Sequence, residues 1–127
     1  MTRTVITTGN APSLPAPLCQ GIRKGPVLQI SGQLPFGPDT GGVVGTTVAE
    51  QTTQVLRNVT AVLKAAGASM EDVVMLRVYL TEPGHLAEMN EAYAAAVGEP
   101  FPARTTVYMP LPPGLLVEID ALAVLDD

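Results

Sequence analysis

Cys19 is the chain's only cysteine. A single thiol excludes an internal disulfide framework and permits a reducing compartment, so the expected location is cytoplasmic. Charge is scarce too: 15% of residues are Asp, Glu, Lys or Arg, against about a quarter in an average domain. There is no basic run, and seven Lys and Arg stand against twelve Asp and Glu for a net charge of −5. Little is available to neutralise phosphates, which argues against a nucleic-acid partner. No apolar stretch approaches the length of a membrane span, and Met1-Thr2-Arg3-Thr4-Val5-Ile6 lacks the long apolar core of a secretion signal. With one histidine, His85, and one cysteine, the sequence offers no metal-ligand motif and no Cys/His dyad. What remains is 127 residues, 46% of them apolar, enough for one core and one domain spanning 1–127. A surface so poor in charge favours an oligomer that hides apolar area, or a large ligand face.

The apolar pattern alternates between strand and helix periods. Thr4 to Thr8 reads as a short strand and Ala11 to Pro17 as an irregular, extended loop. Leu18 to Ile22 and Val27 to Gly32 flank a turn at Arg23-Lys24-Gly25-Pro26, predicting a hairpin. Phe36 to Gly45 is a loop; its glycines lack the spacing and lysine of a phosphate loop. Val48, Thr52, Val55, Val59, Val62 and Ala66 recur at helical spacing, so a helix is expected over Val48–Ala66. Thr47 with Glu50 forms a capping-box pattern before it, and Gly67 stops it. Val73 to Leu80 alternates as a strand, and Leu86 to Val97 carries a second helical stripe ended by Gly98 and Pro100. Two strands follow, one holding Arg104 and one Glu118. The order β, ββ, α, β, α, ββ predicts an α+β fold: a mixed sheet with two helices on one face.

The last two strands carry the chemistry. Arg104, Thr106 and Tyr108 share one face by parity; Val117, Ile119, Ala121 and Ala123 make an apolar face, so Glu118 and Asp120 point the opposite way. A charge among residues that must be buried is costly unless it meets a partner or a ligand. If the Pro112-Pro113-Gly114 turn pairs these strands as a hairpin, Arg104 and Glu118 line one cleft on the face away from the helices. A structural ion pair at a subunit interface would account for the same two residues.

The motifs run in a recognisable order: Ser31-Gly32-Gln33-Leu34-Pro35, Asp39-Thr40-Gly41, Glu50-Gln51-Thr52-Thr53-Gln54, Asn58, Ala65-Ala66-Gly67, Met89-Asn90, Pro102-Ala103-Arg104, Leu111-Pro112 and Val117-Glu118-Ile119. Together they resemble the reactive intermediate deaminase (Rid) family, the enamine/imine deaminases, over almost the whole chain. The resemblance implies a chorismate-mutase-like fold assembled as a homotrimer, with the sheets lining a central barrel and three clefts between subunits. It implies hydrolysis of a C=N bond, as in a 2-iminobutanoate/2-iminopropanoate deaminase. 2-Aminoacrylate and related 2-imino acids would yield 2-keto acids and ammonia, with no metal or organic cofactor. Arg104 would clamp the substrate carboxylate and Glu118 would position water, while Ser31 and Asn90 match two further polar residues of the cleft. Members have also been linked to translation inhibition and RNA cleavage, which the acidic balance here disfavours.

The chemistry is coherent on its own terms. A 2-imino acid needs an anion clamp, an oriented water and a proton shuttle; Arg104, Glu118 and a hydroxyl from Ser31 or Thr106 supply those three. Two positions depart from the deaminating members. Leu18 follows Ala16-Pro17 where a tyrosine often follows Gly-Pro, and Thr106 stands where some members have cysteine. Leu18 opens a second reading, a retuned cleft that favours a more apolar substrate, runs another small-molecule reaction or binds a carboxylate ligand without turnover. Other roles compete at single positions: a backbone-bonding strand end for Ser31, a helix cap or interface contact for Asn90, and a solvated surface for His85. Cys19 reads as a buried or interface thiol.

Overall fold

The computed structural model describes residues 2–126; Met1, part of the N-terminal run above, and Asp127 lie outside them. Six strands form one mixed sheet: β1 (Thr4–Ile6), β2 (Gly21–Lys24), β3 (Val27–Gln33), β4 (Val73–Leu80), β5 (Ala103–Tyr108) and β6 (Val117–Val124), in the spatial order β1-β2-β3-β6-β4-β5. Two helices, α1 (Val48–Ala65) and α2 (Leu86–Val97), complete the α+β fold.

Helix α1 packs on β3 and β6 and against α2. Its start is fixed by the expected capping box: the Thr47 hydroxyl accepts from Glu50 N, and the Glu50 carboxylate accepts from Thr47 N. It stops at Ala66, and Gly67 takes a φ of 76° that a side chain would resist. The core lies between helices and sheet, where Leu28, Ile30, Leu76, Val78, Leu80, Ile119, Ala121 and Ala123 are fully buried against Val55, Val59 and Val62. Alternation does the sorting: each strand gives every second side chain to this layer.

The β2–β3 hairpin turns at Gly25 (φ 58°) and Pro26. A positive φ followed by proline's fixed negative one is the type II′ combination, which suits the strand twist. Strand β2 begins at Gly21 rather than Leu18, and β1 ends at Ile6 rather than Thr8. The reason is Gln20. Its buried side chain accepts from Thr8 N (2.7 Å) and donates to the carbonyls of Thr8, Ala11 and Pro12. Those backbone groups are satisfied by an amide side chain instead of a neighbouring strand.

The expected pairing of the last two strands is not found. Strand β4 lies between them, parallel to β5 and antiparallel to β6. The Pro-Gly turn does form: Leu115 N donates to Pro112 O (3.1 Å) and Gly114 has a φ of 85°. It belongs to a longer connection, Met109 to Leu116, that carries the chain past the end of β4. That connection is tied down at both ends, because Met109 N donates to Leu80 O and Thr81 N donates to Leu116 O. Buried Gln51 holds its middle, donating to Gly114 O and Gly45 O and accepting from Leu116 N. Asn58 does the same for the loop after β3, donating to Leu34 O and Phe36 O. Both residues look like polar positions on a helix and act as struts.

Candidate active site

Register decides where the candidate residues point. Arg104 stands opposite Leu76 and Thr106 opposite Val78, both core residues, so Arg104 and Thr106 face the helix side of the sheet. Glu118 stands opposite Tyr79, and Asp120 opposite Arg77, on the other face. The two charges that a β5–β6 hairpin would bring into one cleft therefore sit on opposite faces of the sheet within one chain, two strands apart.

On the helix side, the Arg104 guanidinium stacks on Tyr93 of α2, its carbon 4.9 Å from the ring centroid. Tyr93 is buried and packs at a tilt on Phe101, with centroids 6.4 Å apart. A stacked, half-buried guanidinium keeps its fork orientated and loses less freedom when it binds. Among the described residues no carboxylate lies within ion-pair distance of it. Arg104, Asn90, Tyr93, Ala94, Phe101 and Pro102 line a cavity of about 330 Å³. Two polar atoms at this cavity, Asn90 Oδ1 and Tyr93 OH, are buried without a hydrogen-bond partner. Burial raises the Tyr93 phenol above its usual value, and the Arg104 charge opposes that shift. A cation with no counter-ion, beside an orphan acceptor and an orphan hydroxyl, is suited to a small anion that also carries a donor. Thr106 is half-buried one step further along the same face, outside the cavity lining.

On the other face, Glu118 meets a break in the ladder. Ile30 pairs with Ala121 and Gln33 with Ile119, so Ser31 and Gly32 together oppose Asp120: a β-bulge. The bulge brings the Gly32 backbone against the Glu118 carboxylate so closely that a Cβ there would fall on Oε2. Partial burial raises the Glu118 carboxyl above its ordinary value of 4.5, and the nearby Asp120 charge raises it further. Ser31 supports the bulge instead of facing Glu118: its hydroxyl donates to Cys19 O (2.7 Å) and its N–H to Gln20 O (3.0 Å). That is the backbone-bonding role weighed against catalysis in the sequence. Leu18 is exposed and lines, with Leu14, Phe36, Gly32, Gln20 and Gln33, a cavity of about 170 Å³ with both apolar and polar walls.

The structure thus gathers Arg104 with Asn90, and places Leu18 and Ser31 at the bulge that holds Glu118. Sequence reasoning passed over Tyr93 and Gly32. Asn90 and Tyr93 are three residues apart on a helix, spacing that sets both on one face, and that was the available signal. His85, in the 3₁₀ turn before α2, lies 3.3 Å from the Glu82 carboxylate. Among the described residues no group of three or more His, Cys, Asp or Glu could hold a metal ion, and no helix is long and apolar enough to cross a membrane.

The family model described as endoribonuclease L-PSP matches residues 8–125. The chain belongs to the Rid family. It is 46% identical over 120 residues to a RutC family protein of Pyrococcus horikoshii, covering 94% of this chain and 95% of that one. It is 39% identical over 123 residues to the 2-iminobutanoate/2-iminopropanoate deaminase of Escherichia coli, covering 94% and 95%. The crystal structure of E. coli TdcF with bound serine superposes with a TM-score of 0.90 at 33% identity, covering 97% of this chain and 99% of that one. This Rid protein shares with these relatives a domain-length match, and with TdcF the fold.

Proposed function

We propose that this Rid protein, as one domain over 1–127, hydrolyses reactive 2-imino acids, including the imine form of 2-aminoacrylate, to 2-keto acids and ammonia. The observation that carries the reading is the unpaired, Tyr93-stacked Arg104 guanidinium beside the orphan Asn90 Oδ1. It suits a carboxylate next to an N–H. Relatives named as imine deaminases and a neighbour solved with serine, itself an amino acid, support the same ligand class.

The division of the site between two faces is reconciled by a homotrimer, in which Arg104 of one copy and Glu118 of the next border a shared cleft. The face away from the helices supports this: Val5, Val27, Val107 and Val124 lie on it and are 40–59% exposed, more apolar surface than an isolated chain tolerates well. Arg104 then holds the carboxylate, and Glu118 takes a proton from a water whose oxygen attacks the imine carbon. The same carboxyl passes that proton to nitrogen to give a carbinolamine, then carries the new hydroxyl's proton to the same nitrogen, and the C–N bond breaks as the C=O forms, releasing ammonia. Seven cationic side chains against twelve acidic ones, one of them already bound to Asp120, make RNA a poor alternative substrate.

The test is a coupled assay in which 2-aminoacrylate and bulkier imino acids are generated in situ and their loss is followed. Acceleration is expected, with bulky apolar imines favoured because Leu18 presents carbon to the cavity it lines. Leu18→Tyr should shift preference towards small imines by roughly tenfold in relative kcat/KM, the scale of one or two methylenes in an apolar pocket. A folded oligomer that accelerates no imine refutes the deaminase reading and leaves carboxylate binding to be measured. Gly32→Ala should cost about 100-fold in turnover, because the new methyl evicts the Glu118 carboxylate and small misplacements are costly. Its melting temperature should change little, since the displaced atom is the end of a flexible side chain.

A further inference from the structure

Asp120 is the one carboxylate in the buried class among the described residues, and the proposed reaction does not use it. It is held from two sides by β4: Arg77 Nε donates to Oδ1 (2.8 Å) and Tyr79 OH donates to Oδ2 (2.9 Å). Both donors follow from register, since Arg77 pairs with Asp120 and Tyr79 with Glu118, its neighbour on the same face. Arg77 is itself half exposed, so its charge is partly spent on solvent while Asp120 is enclosed. Burying a carboxylate is costly, and placing it two residues from a second carboxylate on the same face adds repulsion.

We propose that Asp120, locked by Arg77 and Tyr79 two residues from Glu118 on the same face of β6, is a positioning residue for Glu118, a fixed charge that sets this carboxyl for proton exchange with water and nitrogen. The groups facing Glu118 are consistent with this. Asp120 comes from its own strand and Tyr79 from β4, with Arg77 reaching it only through Asp120. Strand β3 offers uncharged Ser31 and Gly32, Arg104 of the same chain is on the opposite face, and the Arg104 that the proposed trimer brings to the cleft from the next copy opposes Asp120 equally in wild type and variants. The direction of the Glu118 shift agrees, with Asp120 as its second cause after burial. Tyr79 shares the environment: burial and the hydrogen bond to Asp120 raise its phenol.

The inference rests on Glu118 being the acid–base group, yet it can be tested without turnover. The Glu118 carboxyl carbon, assigned by its loss in Glu118→Gln, is titrated by NMR in the wild-type oligomer and in Asp120→Asn. The midpoint should fall in Asp120→Asn, because a neighbouring like charge is removed. An unchanged or higher midpoint overturns the inference. If Asp120→Asn does not fold, Arg77→Gln is decisive. It leaves the Asp120 charge less compensated, so the Glu118 midpoint should rise, and a fall or no change overturns the inference. A wild type with no imine turnover but with these shifts would sink the deaminase reading and leave the electrostatic coupling standing.

Discussion

Arg104→Ala should lower kcat/KM for a 2-imino acid by roughly 10²–10³-fold while the oligomer stays intact. The loss corresponds to about 3–4 kcal/mol, the scale of charged hydrogen bonds to a partly buried anion. Most of it should appear in KM if the carboxylate is held equally in ground and transition states, and in kcat if the clamp sets the attack geometry. The fold should survive. Arg104 lies on an edge strand and makes no ion pair within the described residues, and its main contact is one face of Tyr93. Arg104→Lys should not restore the rate, since an ammonium cannot reproduce the planar fork or its stacking. Wild-type kcat/KM in Arg104→Ala would remove the clamp from the mechanism.

Glu118→Gln should do two things of opposite sign. Turnover should fall at least 100-fold, because an amide cannot carry a proton between water and nitrogen. Stability at neutral pH should rise. The folded state raises this carboxyl above 4.5, by burial first and Asp120 second, so ionised Glu118 opposes folding. That opposition is absent below the unfolded pKa and grows as pH rises through the higher folded value. The melting temperature of Glu118→Gln should therefore exceed wild type at pH 7.5, with the gap closing towards pH 4. A gap that is constant with pH would mean that the carboxyl is not shifted, whatever the kinetics show.

Much of this architecture is legible where the signals are local. Thr47, Glu50 and Gly67 bracket α1 to within one residue, and alternation in Val73–Leu80 matches β4 at both ends. Parity within a strand is equally sound: Arg104 with Thr106, and Glu118 with Asp120, do share faces. What a sequence does not carry is the relation between strands. Pro112-Pro113-Gly114 looks like a hairpin turn, but β4 has two edges to satisfy and takes the place between β5 and β6, pairing with both. The distribution of the polar candidates over two faces is such a relation, and it was not legible. Gln20, Gln51 and Asn58 were hidden for a related reason. Each is an ordinary polar residue whose importance lies in a distant backbone it satisfies.

The strand order also bears on how the chain acquires its shape. Strand β6 is the last in sequence and lies near the middle of the sheet, bridging β1-β2-β3 on one side and β4-β5 on the other. Until it is available, Val27–Gln33 and Val73–Leu80 each present an open hydrogen-bonding edge with no native neighbour, the kind of edge that recruits other chains. Its ladder with β3 joins partners from 86 positions apart (Gln33 with Ile119) to 97 apart (Val27 with Val124), so closure is a slow, long-range event. Synthesis therefore leaves two half-sheets waiting for one insertion. The exposure of nascent chains to mispairing ends only when that final strand slots between them.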